Sequence, residues 1–363
     1  MNTDYHKEMV QRSLISTGNN YRMKKAISKA KSGQIVTVVY LGGSITFGFR
    51  EYGDKIYAIS SYKYFKEKFA FGDNIRYINA GMNGVTSLIG LIRLEQDVLK
   101  YNPDIVFVEY SVNDTKDAIH REAFESLIVR LLKWKSRPAV VLLFMQSEGG
   151  YTCQGHMQVI GENYNLPMIS VCNAIRPELI AGRMKWSDYA DDNIHPNIKG
   201  NKLVTDFIAN YFDTVENQPE DKEEEVLNKP FYGVSYKDMK ILDSTNFNQV
   251  SMMGFQKAVT INEFPNGWIR DLSVPDTYFR FKLEFRNLFI IYKESNDISE
   301  GSIEIRVDNE NAGIYNGYRT FGWNNPIAKL VYSGDENKEH LVELTMIHGD
   351  EKKNFTILAF GYC

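Results

Sequence analysis

Cysteine is scarce in this chain. Cys153, Cys172 and Cys363 are three among 363 residues, widely spaced and without a C-x-x-C pair. An odd count at such spacings argues against a disulfide framework and a structural zinc site, and for free thiols in a reducing compartment. Long apolar runs are also missing. None approaches the roughly 18 residues of a membrane helix, and the opening "MNTDYHKEMVQRSLIS" has no apolar core of a secretory signal. A cytoplasmic location with no membrane partner is expected. A dominant charge is lacking too: the net charge of -4 exerts no long-range pull on nucleic acid, and no basic patch is interleaved with aromatics. The basic run "RMKKAISKAK" (Arg22–Lys31) reads as a solvated helix face. There is no internal repeat and no low-complexity tract.

What the chain does contain is enough apolar side chain for globular cores. Hydrophobic residues make up 43% and aromatics 13%, and the length exceeds what one core usually fills, so two domains are expected. The first, residues 1–215, alternates strand-like and helix-like segments. Continuous apolar runs occur at Ile35–Leu41, Ile75–Ala80, Asp104–Tyr110, Ala139–Met145 and Pro167–Val171, a texture that suits strands covered on both faces of a parallel sheet. Helical patterns such as "TSLIGLIRLEQDVLKY" and "REAFESLIVRLLKW" lie between them. Together they predict an open, doubly wound α/β fold with its ligand site beyond the carboxyl ends of the strands. Residues 216–229, "ENQPEDKEEEVLNK", are acidic and nearly free of apolar side chains, and read as a linker. Residues 230–363 alternate apolar and polar positions between turn signals, which predicts an antiparallel β-sandwich.

Four stretches of the first domain bear chemistry. "GGSITFGF" follows the first apolar run. It has neither the lysine of a phosphate loop nor the G-x-G-x-x-G spacing, so Ser44 reads either as a helix N-cap or as a nucleophile held at the sheet's edge. "INAGMNGVTS" closes the second strand, and Gly84 is either a turn glycine or a close-approaching N–H donor. "VFVEYSVNDT" places Asn113 beyond a central strand, as a helix cap or as an amide aimed at a developing oxyanion, with Asp114 fixing the loop by local hydrogen bonds. "DDNIHPN" sets Asp192 and His195 three residues apart before a helix starting near Pro196–Asn197, so that carboxylate and imidazole can lie side by side. A metal reading would add only Asp191 as a further ligand, too few for a site.

Serine, glycine, asparagine and histidine in this order, each after a strand or at a helix start, resemble the four blocks of the SGNH hydrolases, also called the GDSL esterase family. The likeness covers about residues 30–213. It implies a three-layer, flavodoxin-like domain with a central parallel sheet. It makes Ser44 the nucleophile, His195 the general base and Asp192 the residue orienting His195. The oxyanion donors would be the Ser44 N–H, the Gly84 N–H and the Asn113 side-chain amide, and no cofactor or metal is needed. Two positions depart from the pattern: Gly43 stands where an aspartate usually precedes the nucleophile, and Ser111 replaces the glycine that usually opens the third block.

The expected acyl group is short, since no exposed leucine-rich lid helix is evident. Trp186, Tyr189, Phe49 and Tyr52 lie near catalytic blocks, and aromatic faces there suit sugar rings. The order of the two domains resembles the two-domain bacterial carbohydrate O-acetyl esterases, particularly those acting on mannan oligosaccharides, whose C-terminal domain is similar to a carbohydrate-binding module. That resemblance implies an acetylated oligosaccharide as partner and makes Tyr318 and Trp323 of "NGYRTFGWNNP" candidate sugar platforms, with Trp268 a further one. The alternatives are a thioesterase, a lysophospholipase-like esterase or an acetyltransferase on the same scaffold, or a non-enzymatic sugar-binding protein. A homodimer is the base expectation for the assembly.

Overall fold

The computed structural model describes residues 3–225 and 228–363, and the chain divides into two compact units, Met1–Lys237 and Asp238–Cys363. In the first unit, six strands form one sheet: β1 (Leu14–Ser16), β2 (Val36–Gly42), β3 (Ile75–Gly81), β4 (Ile105–Glu109), β5 (Ala139–Phe144) and β6 (Met168–Ser170), in the order β1-β6-β5-β4-β2-β3. Strands β2 to β6 pair in parallel, while β1 adds an antiparallel edge. The five apolar runs become these five parallel strands, each end within one residue of expectation. Every residue of β2, β4 and β5 is buried, as continuous Val, Ile and Leu runs require when helices cover both faces. The three-residue β1 was not expected, because "LIS" is too short to carry a period.

This strand order has a switch point at β2. The chain passes from β2 to β3 on one side and returns to β4 on the other, opening a crevice beyond the carboxyl ends of β2 and β4. Helices Tyr57–Phe69, Ala118–Leu132 and Ile198–Asn217 are among those packed on the sheet. The basic run forms helix Tyr21–Lys31, whose charges serve its own unit: Lys29 pairs with Asp104 at 2.6 Å, Lys31 with Glu216 at 2.8 Å, and Arg22 donates to the carbonyls of Leu132 and Pro138 at 3.1 and 3.2 Å.

The first unit continues through the acidic segment to Lys237. Its described part is strapped down: the side chain of Asp221 accepts from the Asn20 N–H at 2.9 Å, and Asn20 donates to the Pro219 carbonyl at 2.9 Å. Beyond it, the buried carboxylate of Glu125 accepts from the N–H groups of Phe231, Tyr232 and Gly233 at 2.7, 2.5 and 3.0 Å. Acidic composition marks exposure, but it does not exclude this many backbone hydrogen bonds.

In the second unit the strands are β7 (Lys240–Leu242), β8 (Val250–Met253), β9 (Phe255–Ile261), β10 (Phe264–Arg270), β11 (Tyr278–Ser295), β12 (Ser302–Val307), β13 (Glu310–Asn316), β14 (Trp323–Met346) and β15 (Thr356–Tyr362). All pairings are antiparallel, and the strands form one continuous sheet. Its two layers share the long strands β11 and β14. The first half of β11 pairs with β8 and its second half with β15, and the register of β11 against β14 shifts between these halves, at Phe285/Asn287 and Leu288/Phe289. Such irregularities bend a strand. The fold-over brings Phe279 and Phe281 of the first half against Phe360 of β15, with ring centroids 5.9 and 5.0 Å apart. Trp268 lies in this core, fully buried and 5.2 Å from the Phe279 ring, so it offers no face to a sugar.

Candidate active site

Ser44 opens the short helical turn Ser44–Phe47 directly after β2, with Gly43 at its N-cap. The Ser44 Oγ lies 2.8 Å from His195 Nε2, and His195 Nδ1 lies 2.7 Å from Asp192 Oδ2. A hydroxyl, an imidazole and a carboxylate thus stand in one hydrogen-bonded line, although Ser44 and His195 are 151 residues apart. In this line Asp192 fixes the imidazole's Nδ1 as the protonated nitrogen and leaves Nε2 free to accept the serine proton.

His195 and Asp192 sit on a pinched loop. An antiparallel bridge joins Ala190 to Pro196, and the Asn197 N–H donates to the Tyr189 carbonyl at 2.9 Å. Asn197 then caps helix Ile198–Asn217 by accepting from the Gly200 N–H at 3.0 Å. Within the loop, Asp192 Oδ1 accepts from the N–H groups of Ile194 and His195 at 2.7 and 2.6 Å. Partial burial pushes the Asp192 carboxyl up, but the hydrogen bonds from His195 and Ile194 outweigh it and hold the group below the usual carboxylate range. Asp192 is therefore ionised wherever the imidazole has to accept a proton. From outside, the Trp186 indole N–H donates to the Asp192 carbonyl at 2.6 Å, and the loop after β5 adds a bond from the Glu148 N–H to the Asn193 carbonyl at 2.9 Å.

The proposed oxyanion donors lie on neighbouring strand ends. Register pairs Gly42 of β2 with Gly81 of β3 and with Glu109 of β4, so the loops carrying Ser44, Gly84 and Asn113 leave the sheet side by side. Gly84 adopts φ +66° on the turn after β3, a conformation that favours glycine. Asn113 does not cap the next helix, because Asp117 does so by accepting from the His120 N–H. Its amide instead lies against Gly43: a Cβ built on Gly43 would fall 2.6 to 2.8 Å from the Asn113 amide atoms. The residue in place of the usual aspartate is thus the one that leaves room for this amide. The Asn113 Oδ1 is buried without a hydrogen-bond partner, so no structural hydrogen bond accounts for it.

Asp114 ties the loop carrying Asn113 to the helix start that follows Gly84. Its buried carboxylate accepts from the Ser87 N–H at 2.7 Å and the Ser87 hydroxyl at 2.5 Å. Ser111, the other departure, acts as a brace: its hydroxyl donates to the Met145 carbonyl at 3.1 Å and accepts from the Met145 N–H at 2.6 Å, linking the ends of β4 and β5. A glycine there could make neither bond.

The aromatic candidates divide. Phe49 is exposed and meets the His195 ring edge-on at 5.1 Å between centroids. Tyr52 donates to Asp191 Oδ2 at 3.2 Å, and Asp191 Oδ1 accepts from Asn197 at 3.1 Å, so this carboxylate belongs to the loop's bracing. Tyr189 is fully buried and cannot face a sugar. Trp186 is half-buried and packs on Tyr189 at 5.1 Å. In the second unit, Trp323 is 54% exposed at the start of β14, next to Phe321 at 88%, whereas Tyr318 is half-buried and bridged to Ser295. Among the described residues no three His, Cys, Asp or Glu side chains gather as a metal site, and no described helix is long and apolar enough to cross a membrane.

Sequence reasoning overlooked Glu109. It ends β4, is wholly buried, and lies under the Ser44 turn, 3.2 Å from the Thr46 hydroxyl. The signal was present: one carboxylate inside the otherwise apolar run "IVFVEY".

Comparison with known proteins bears on the same residues. No curated protein matches the chain. The chain is similar to a solved two-domain esterase (CEX) active on acetylated mannans, with 28% identity, a TM-score of 0.86 and 97% of each chain covered, in a crystal that also contains mannopentaose. A second crystal structure of a two-domain esterase (CEX) active on acetylated mannans gives the same identity and TM-score over 97% of this chain and 98% of that one. Residues 40–203 match the model of the GDSL-like lipase/acylhydrolase family, a span that holds Ser44, Gly84, Asn113, Asp192 and His195. Residues 40–203 of the first unit are thus a GDSL-like lipase/acylhydrolase family domain.

Proposed function

We propose that this protein is a serine esterase that removes short acyl groups, acetyl above all, from esterified oligosaccharides, with acetylated manno-oligosaccharides as the preferred class. The observation that carries the reading is the continuous line from the Ser44 Oγ through His195 to Asp192, at 2.8 and 2.7 Å, in a chain of which 97% is covered by its likeness to an esterase active on acetylated mannans.

In the reaction, the Ser44 Oγ attacks the acyl carbon while His195 Nε2 takes its proton. The carbonyl oxygen becomes an oxyanion facing the N–H groups of Ser44 and Gly84 and the Asn113 amide. Collapse expels the sugar hydroxyl, which takes the proton back from His195 and leaves the acyl group on Ser44. Water, deprotonated by the same imidazole, then attacks, and loss of the acid restores the serine. Trp186 is proposed as a sugar contact of the first unit, and Tyr318 and Trp323 as sugar contacts of the second. The mannopentaose found with the similar esterase favours a carbohydrate over a thioester or phospholipid.

The test is release of acetate from acetylated manno-oligosaccharides, set against hydrolysis of nitrophenyl esters of increasing acyl length. Acetate release and a fall in rate beyond short acyl chains are expected, with activity lost by about 10⁴-fold or more in Ser44→Ala. A rate that rises with acyl length would overturn the sugar-acetate assignment, and turnover surviving Ser44→Ala would overturn the nucleophile.

A further inference from the structure

Glu109 has no step in this reaction, yet the structure sets it against the nucleophile. Its Oε2 lies 3.2 Å from the Thr46 hydroxyl, and its Oε1 is buried with no partner. Thr46 is two residues beyond Ser44 in the same four-residue turn and is itself buried, its hydroxyl 2.7 Å from that of Tyr57. From below, register places Glu109 beside Gly42, the last residue of β2 before that turn. The titratable groups that sense its charge are Tyr57 on the following helix, Tyr110 and Asp114 on its own strand and loop, and Tyr189 before the His195 loop. These are three phenols and an acid, with no cation among them.

A carboxylate so enclosed has no counter-charge and only the Thr46 hydroxyl and the Gly43 N–H to solvate it, whereas the neutral acid suffers far less from burial. Burial accordingly pushes the Glu109 carboxyl up to about 8, against the Thr46 hydroxyl and the Gly43 N–H, which favour the ionised form. A structural carboxyl elsewhere in this unit is handled differently: Glu125, equally buried, accepts from three N–H groups and the Tyr164 hydroxyl.

We propose that Glu109 is a positioning residue which, as a neutral acid, seats the Ser44 turn through Thr46, and that its ionisation, which the two contacts from the turn do not offset in an enclosure without a cation, admits water beneath the turn and unseats the nucleophile in alkaline solution. The proposal rests on Ser44 being the nucleophile.

The experiment follows the rate of active-site labelling by a fluorophosphonate between pH 6 and pH 9.5, with the modified residue located by mass spectrometry. In the unaltered protein the rate falls about tenfold by pH 9, one unit above the Glu109 midpoint. Glu109→Gln stays neutral at every pH and keeps an acceptor for Thr46. Its labelling rate, relative to its own value at pH 7, holds level to pH 9.5. Glu109→Ala and Thr46→Val, which remove the link from either end, label about tenfold more slowly throughout. Thermal melting of each variant at pH 7 identifies any that fails to fold, and Glu109→Gln and Thr46→Val carry the test without Glu109→Ala. An alkaline fall that persists in Glu109→Gln, with the label on Ser44, overturns the proposal alone. A label that lands elsewhere overturns the nucleophile and this proposal together.

Discussion

The two sides of the candidate site are built in opposite ways. The Ser44 turn rests on the ends of β2, β3 and β4 and is held by packing: its own buried Thr46 from within, buried Glu109 from below, and the half-buried Asn113 amide against Gly43. The Asp192–His195 side is a partly exposed loop that organises itself. Three of its hydrogen bonds run between Asp192 and residues two and three positions away, and the loop is closed by Ala190 and Pro196. The proposed nucleophile and oxyanion donors are placed by packing, whereas the proposed base and its carboxylate are placed by local hydrogen bonding. A reaction that develops charge on one side and moves a proton on the other suits this division. Charge stabilisation depends on dipoles that cannot reorient, while a proton carrier tolerates a loop whose own bonds set the tautomer.

Substitutions can break this comparison or sharpen it. On the packed side, Asn113→Ala removes an oxyanion donor and should lower kcat for a short-chain ester by about 10²- to 10³-fold with little change in KM. Steady-state kinetics would show this, and a loss below about tenfold would return Asn113 to a merely structural role. Gly43→Ala, on the same side, drives a Cβ into the Asn113 amide, and an amide displaced by about 1 Å should cost about 10²-fold in kcat. Combining it with Asn113→Ala should add little beyond the larger single loss, since both act on one donor. On the local side, Trp186→Phe removes only the indole donor to the Asp192 carbonyl and should lower kcat severalfold, because the Asp192–His195 bonds remain. A Trp186→Phe loss as large as that of Asn113→Ala would mean that the loop is not self-sufficient, and the comparison would fail.

The contrast also explains what could be read in the sequence. Asp192 and His195 were legible because their spacing alone brings them together. The five parallel strands were legible because apolar runs covered on both faces have one plausible environment. Asn113 and Gly84 were legible as positions after strands, but their bland alternatives persisted: only the structure gives the next helix's cap to Asp117 rather than Asn113. The aromatic candidates were the least legible. Tyr189 and Trp268 are as suited to a sugar face as Phe49 and Trp323 by residue type, and differ only in burial. The sandwich's two layers were readable as alternation, but that they share β11 and β14 depends on bends at particular residues. The acidic stretch shows the same limit, since charge predicts exposure but not the backbone bonds that hold residues 219–221 against Asn20.

By itself the sequence determined the order of elements, the chemistry-bearing residues and the Asp192–His195 pair, because periodicity and short spacing act along the chain. Only the tertiary structure decided that Ser44 meets that pair, that Gly43 admits the Asn113 amide, and that Glu109 lies buried without a counter-charge beneath the nucleophile. Each of these depends on which strands are neighbours, and close approach between segments tens of residues apart follows from packing the whole sheet.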